Sequence, residues 1–456
     1  LNELSCQLKL GRAFAVGGLA PEYGTVALAC VGPKDPGYDD LEALDVTKEN
    51  IRVGVGAGVR VLQERCCANI QVDTCGHPAP AAEAAELAAW RFQELKTSDR
   101  LPPSAVSPLG GAAPAWAAGA ARARAQNWAR FLSDMPANMM TPLHLAQHAL
   151  DMLCPLGVTV EARDRDWIET QNMQAFLAVA RGSCAEPVFL ECGYSGAAAT
   201  SPPVLLAAKA VTFDSGGLCL KPCSSMTETR GSMAGAAVVL AAIKSIAEMK
   251  IPINVHAVIP ICENMISGQC MKVGDVVRAL NGLSIQIEHT DMEGRLMLAD
   301  ALVYGQAAYK PALVVDVATL THGVKLAMGG AAFGCFTSSE GAWLAARAAG
   351  AAAGDRPWRL PLWRCYHGQI SNDPSVDLRN KGAGKATSCL GAAFLKNFVC
   401  TEWVHMDIAG VGRVARGAPP YLRARRMSGR PTRALALLLE VLSSRDGARF
   451  TLAFTF

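Results

Sequence analysis

Residues 289–300 read HTDMEGRLMLAD, placing the carboxylates of Asp291 and Glu293 two positions apart, with Gly294 and Arg295 next and an apolar helical pattern beyond. Acids at i and i+2 in an extended turn point the same way, which suits a divalent cation. Each acid alone also suits a helix N-cap, because carboxylates stabilise the positive end of a helix. Arg295 adds a positive charge that can hold an anion. A second stretch, VLLAAKAVTFDSGGLCLKP, sets Lys209 inside an apolar run, Asp214 before a Gly pair, and Lys221 after the turn. A lysine in a buried strand is costly unless it is paired, neutral or metal-bound; an edge lysine reaching solvent is the ordinary alternative. A third stretch, VVDVATLTHG, closes with Thr319 and Thr321, which serve equally well as cap residues.

These residues need elements to hold them. From about 140 onward, short β-type runs (FLAVA, VLLAAKAVTF, INVHAVIP, LSIQIE, ALVVDVATL and WVHMDIAG) alternate with helical patterns at 234–249, 295–307 and 430–443. Strands apolar on both faces and separated by helices imply a mostly parallel sheet covered on two sides. Ligands in such sheets sit beyond the carboxyl ends of the strands. Residues 1–112 read as a smaller α/β unit, with strand-like GTVALACVG and NIQVD and helical patterns near 47–64 and 79–95. The GVGAG at 54–58 lacks the spacing of a dinucleotide fingerprint and reads as a glycine-softened helix. The Pro/Gly-rich LPPSAVSPLGGAAPA, 101–115, marks the boundary, and an Ala/Arg-rich linking helix over 113–133 leads into the larger α/β unit, 134–445, with a tail at 446–456.

The bulk numbers agree with two packed cores: 456 residues, 51% hydrophobic and 18% charged, exclude a disordered or fibrous chain. A net charge of +3 by itself argues neither for nor against a partner, and with only RARRMSGRPTR as a basic run it gives a nucleic-acid partner little support. Sixteen Cys without CxxC pairs predict free thiols in a cytoplasmic setting. The longest apolar stretch, Ala234 to Ile243, is short of a membrane span, and no secretory signal is visible at the start, although a chain beginning with Leu leaves a preceding leader open.

Taken in order, AKAVTFDSGGLCLKP, CENMISG, VGDVVRALNG, HTDMEGRLMLADAL and MSGRPTRAL resemble the leucyl aminopeptidase (cytosol aminopeptidase) family through most of 130–435, with KENIR at 48–52 and MPANMMTP at 135–142 as further matches. The resemblance implies a two-metal exopeptidase, Zn- or Mn-dependent, that removes Leu-like N-terminal residues from peptides and assembles as a homohexamer, a dimer of trimers. It assigns Lys209 to one metal, Asp214 and Glu293 to both, and Asp291 to the second. It assigns Lys221 to the scissile carbonyl and Arg295 to a bicarbonate acting as general base. It places Met226, Thr229, His289, Thr319 and His322 around the substrate.

The chain also departs from that family. An Arg-Ala-Asp-Met-Gly-Gly-type run there supplies a further metal-binding Asp, whereas this chain reads TRGSMAGAA and has Ser232 at that position. A serine hydroxyl replaces a carboxylate poorly, leaving three negative charges against the four positive charges of two divalent ions. Losing a ligand costs at least the roughly 10 to 100-fold in metal affinity or activity of an outer-shell change. A weak or absent metal on the Lys209 side is expected. Thr229 stands for a Met, Leu283 for a Lys, His289 for an Asn and His322 for a Gly. His289 is either a substitute ligand or a pocket wall. The sequence therefore predicts an aminopeptidase of impaired activity, or an inactive relative kept as a structural component of an assembly.

Overall fold

The computed structural model describes residues 8–111, 113–415 and 417–444; the tail expected at 446–456 lies outside them. Among the described residues, the N-terminal part holds a hairpin of Ala13–Ala20 with Tyr23–Ala29, helix α1 (Val46–Glu64), a parallel pair of Asn69–Val72 with Ala105–Pro108, and α2 (Pro78–Ala89). Asp45 caps α1 by accepting the Lys48 N–H at 3.0 Å. The GVGAG run lies within α1, and its glycines allow close packing: a Cβ on Gly56 would come within 2.7 Å of Tyr421, and one on Gly54 within 2.7 Å of Val31. Helix α3 (Pro114–Asp134) follows, and Trp116, Ala120 and Ala123 on it join the same apolar cluster as Leu87, Tyr421 and Leu422.

A nine-stranded sheet forms the rest of the frame. Its strands are β1 (Thr159–Arg163), β2 (Val188–Ser195), β3 (Val204–Ala208), β4 (Ala210–Asp214), β5 (Asn254–Asn264), β6 (Leu313–Ala318), β7 (Phe333–Thr337), β8 (Pro357–Arg359) and β9 (Glu402–Asp407). Their order is β8-β7-β9-β6-β3-β5-β2-β1, with β4 continuing β3 beside β5. The centre, from β9 to β5, is parallel, whereas β7, β2 and β1 pair antiparallel with their inner neighbours. Helices α4 (Ala234–Glu248), α5 (Glu340–Ala353) and α6 (Thr432–Ser443) cover one face. Gly294–Tyr309 and Thr387–Lys396 cover the other.

Two expected strands are corrected. FLAVA, 176–180, lies in the helix Gln174–Ala180. A short, wholly buried apolar run carries no period that separates helix from strand, and here the Asp300 carboxylate accepts the Phe176 N–H at 2.9 Å near the helix start. LSIQIE contributes only Ser284–Gln286, in a separate three-stranded sheet with Val276–Arg278 and Leu378–Arg379. The contiguous helical stretch Cys223–Glu248 is, at 26 residues, long and apolar enough to cross a membrane, which the apolar run alone did not suggest, and 83% of its apolar window is buried inside the protein. The described cysteines are free.

Candidate metal centre

The parallel centre of the sheet aims its carboxyl ends into one cavity of about 580 Å³. Lys209 breaks the continuous strand between β3 and β4, where its N–H reaches the Val317 carbonyl on β6 at 3.2 Å. It is 4% exposed, so the solvent-reaching edge reading fails. Its Nζ instead lies 2.5 Å from Glu293 Oε1 and donates to the Thr319 carbonyl at 3.2 Å. Burial alone would lower the Lys209 pKa, but Glu293 and Asp214 overcome it and raise it. That ion pair compensates the buried lysine charge.

Asp214 ends β4, and its Oδ1 accepts from Gly216 N–H and Asn264 Nδ2, both at 2.9 Å. Gly216 and Gly217 both take positive φ. That turn, unavailable to most side chains, brings Lys221 back to 3.1 Å from Asp214 Oδ2 and into contact with Asp291 Oδ1. Asp291 and Glu293 do not follow a strand of the large sheet. They hang in the loop before the helix Gly294–Tyr309, and that loop is pinned over the strand ends by neighbouring polar residues. Thr290 donates to the Gly216 carbonyl at 2.6 Å and accepts the Cys219 N–H at 2.8 Å. Glu293 occupies the N-cap position without a side-chain cap bond, so the simple capping explanation does not hold for it.

The result is that Asp214, Asp291 and Glu293 each offer an oxygen within 4.8 Å of the others. Glu293 is 1% exposed, and burial, reinforced by Asp214, pushes its pKa up to about 7; the Asp291 pKa is also raised, by burial first. Asp291 Oδ1 and Glu293 Oε1 accept no hydrogen bond and are met only by lysine ammonium groups. Crowded carboxylate oxygens held in a charge-compensated pocket are the donor set a divalent cation needs. The residues present fit such an ion.

Ser232 lines the same cavity as Lys209 and Asp214. Its carbonyl accepts from Thr319 Oγ1 at 3.1 Å. Arg295, in the first turn of its helix, is 1% exposed; Nη1 donates to the Asn380 carbonyl at 2.6 Å and Nε has no partner. Burial lowers its pKa to about 10. Thr229, His289, Thr319 and His322 line the cavity too. His289 Nδ1 accepts the Asp291 N–H at 3.2 Å, so that nitrogen shapes the loop, and burial lowers its pKa. Met226 is the exception: it is not among the lining residues, and its carbonyl accepts from Thr229 at 2.7 Å.

Sequence reading missed two amides. Asn264 ends β5 and joins Asp214 to the Thr290 carbonyl, at 2.9 and 3.1 Å; the strand-end rule used for Asp214 would have found it. Asn380 binds four backbone groups of residues 288–292, at distances from 2.8 to 3.3 Å, and no motif points to it. Three arginines of the basic run 423–433 are turned inward, whereas Arg425 is exposed. Arg423 donates to the Trp90 and Ala88 carbonyls, Arg430 pairs with Asp355, and Arg433 pairs with Glu83.

Comparison with known proteins agrees with this geometry. The pattern of the cytosol aminopeptidase family, catalytic domain, matches residues 127–436. The cytosol aminopeptidase of Xenopus tropicalis is 42% identical over 94% of this chain and 83% of that protein. That of Sus scrofa is 42% identical and that of Homo sapiens 41%, each over 98% of this chain and 86% of the relative. Among solved structures, the bottromycin maturation enzyme BotP superimposes with a TM-score of 0.85 at 30% identity, covering 96% of this chain and 94% of that one. The same enzyme in complex with Mn gives 0.84 at 30%, covering 95% and 94%.

Proposed function

Because the chain belongs to the cytosol aminopeptidase family, a family of metal-dependent hydrolases, we propose that it is an aminopeptidase releasing Leu-like N-terminal residues from peptides, with activity reduced at Ser232. The observation that carries this reading is the convergence of Asp214, Asp291 and Glu293 within 4.8 Å, flanked by Lys209 and Lys221. Those three acids would hold a divalent cation, Mn or Zn, which supplies Lewis-acid polarisation of a carbonyl and a lowered water pKa. Lys221, which contacts both Asp214 and Asp291, is placed to donate to the scissile carbonyl oxygen as charge develops there. Arg295, buried with a free Nε, holds an anion such as bicarbonate for general-base work. Thr229, His289, Thr319 and His322 line the space for the first residue.

Ser232 sits at the cavity wall where the family resemblance calls for a carboxylate, so a cation on the Lys209 side is held weakly or not at all. This favours a second reading, an inactive relative kept as a structural component. Hydrolysis of a leucyl chromogenic substrate with added Mn, Zn or Co separates the two. We expect a slow rate and at most one tightly held metal per subunit, with Ser232→Asp raising second-metal affinity by at least roughly tenfold. Fast turnover by the unaltered protein with two tight metals would refute the role given to Ser232. The same reading carries a homohexamer built as a dimer of trimers, a cytoplasmic location, and no membrane or nucleic-acid partner; sedimentation of the intact protein tests the hexamer.

A further inference from the structure

The cations that line the cavity are unequally partnered. Lys209 meets Glu293, Lys221 meets Asp214 and Asp291, Arg413 meets Glu228, and Arg295 donates to the Asn380 carbonyl. Lys325, by contrast, has no side-chain hydrogen bond or ion pair to any described residue. It lies on the helix His322–Met328, which follows β6 on the β9 side of the sheet, whereas Asp214 ends β4 beside β5 on the other side. His322, three positions earlier and so on the same helical face, also lines the cavity and likewise has no side-chain partner among the described residues.

Charge counting points the same way. Five cationic side chains line the cavity, against the carboxylates of Asp214, Glu228 and Asp291, with Glu293 behind them as a fourth. One positive charge is in excess before any divalent cation adds two more. The site thus has an acidic side, suited to a cation, and a basic side with an unspent lysine. Its volume of about 580 Å³ suits a ligand no larger than a short peptide.

We propose that Lys325, with His322 beside it, binds a carboxylate of the substrate, so that the cavity selects short peptides that carry one near the residue released. The carboxylate is either the free C-terminus of a di- or tripeptide, which keeps the Leu-like first residue proposed above, or an acidic first side chain, which replaces it. The proposal rests on the peptide-binding reading above. An exposed ammonium–carboxylate contact is worth up to about 1 kcal/mol, or roughly fivefold in affinity.

The test uses the full chain loaded with Mn and hydrolysis-resistant dipeptide analogues in which CH2–NH replaces the peptide bond, followed by calorimetry. Three analogues are compared: leucyl-glycine with a free carboxylate, the same compound as its C-terminal amide, and aspartyl-glycine amide. The expected result is that at least one carboxylate analogue binds roughly fivefold tighter than leucyl-glycine amide, and that Lys325→Met removes this advantage while leaving the amide unchanged. An advantage for the first analogue assigns the C-terminus, and one for the third assigns the side chain. If all three bind alike, or if the preference survives Lys325→Met, the proposal is wrong while the peptide reading stands. If none binds, both fall. Lys325 is exposed, so the variant keeps the fold.

Discussion

Asn380 is fully buried, and its side chain accepts from the Glu288 and His289 N–H groups while donating to the His289 and Met292 carbonyls. Its own carbonyl receives Arg295. One neutral amide thereby fixes both the loop that presents Asp291 and Glu293 and the guanidinium that follows them. Asn380→Ala would leave several of these backbone groups without partners in a dry loop, at a cost of about 2–3 kcal/mol. It would also weaken Mn binding by at least roughly tenfold, because outer-shell supports set ligand position. Urea unfolding and calorimetric Mn titration of the variant check both numbers. A variant matching the parent in Mn affinity would show that the acids need no such support.

Helix α4 approaches the sheet at Gly235, where an added Cβ would meet the Val317 carbonyl at 2.3 Å and the Lys209 carbonyl at 3.0 Å. Both obstacles are backbone and cannot swing aside. Gly235→Ala should therefore push α4 off β6 at the point where Lys209 leaves the strand, costing about 1–3 kcal/mol and lowering the thermal midpoint by several degrees. An unchanged midpoint would mean that the helix slides freely. Much of this layer was legible beforehand, for physical reasons that differ from element to element. The central strands β3, β5, β6 and β9 are largely apolar and buried on both faces, apart from the paired Asp316 and His405 inside β6 and β9, so their sequences read as buried strands, and polar residues ending them stood out as Lys209 and Asp214 did. FLAVA was misread because burial on every side erases the helical period. The short strand of LSIQIE was placed in the wrong sheet because its register partner, Leu378–Arg379, lies far along the chain. Asn264 and Asn380 went unseen since their work is geometric, and an amide announces neither charge nor metal affinity. Ser232 was conspicuous only against the family pattern; by itself it is an ordinary cavity-wall hydroxyl.

At the scale of the whole molecule, the N-terminal elements, the linking helix and the last helix meet at one buried acid. Glu83 on α2 is 1% exposed and pairs with Arg52 of α1 at 2.8 Å, Arg122 of α3 at 3.1 Å and Arg433 of α6 at 2.9 Å. Burial alone would raise its pKa, but the three guanidinium groups overcome that and hold it at about 2, below the ordinary glutamate value of 4.5. A carboxylate depressed in the folded state contributes stability that is complete above its unfolded pKa and disappears as the pH falls through the folded one. The window for Glu83 therefore runs from about 4.5 down to about 2. Removing one partner of a buried charge cluster strands the others, so Glu83→Gln should cost about 3–5 kcal/mol at neutral pH. Its stability deficit relative to the parent should then shrink as the pH falls across that window, since the parent loses by protonation what the variant already lacks. Urea midpoints of both proteins, measured at intervals from pH 7 to 2, read this directly. A deficit that stays constant across the window would place the stabilisation in packing and remove the charge of Glu83 from the account of how the two parts are joined.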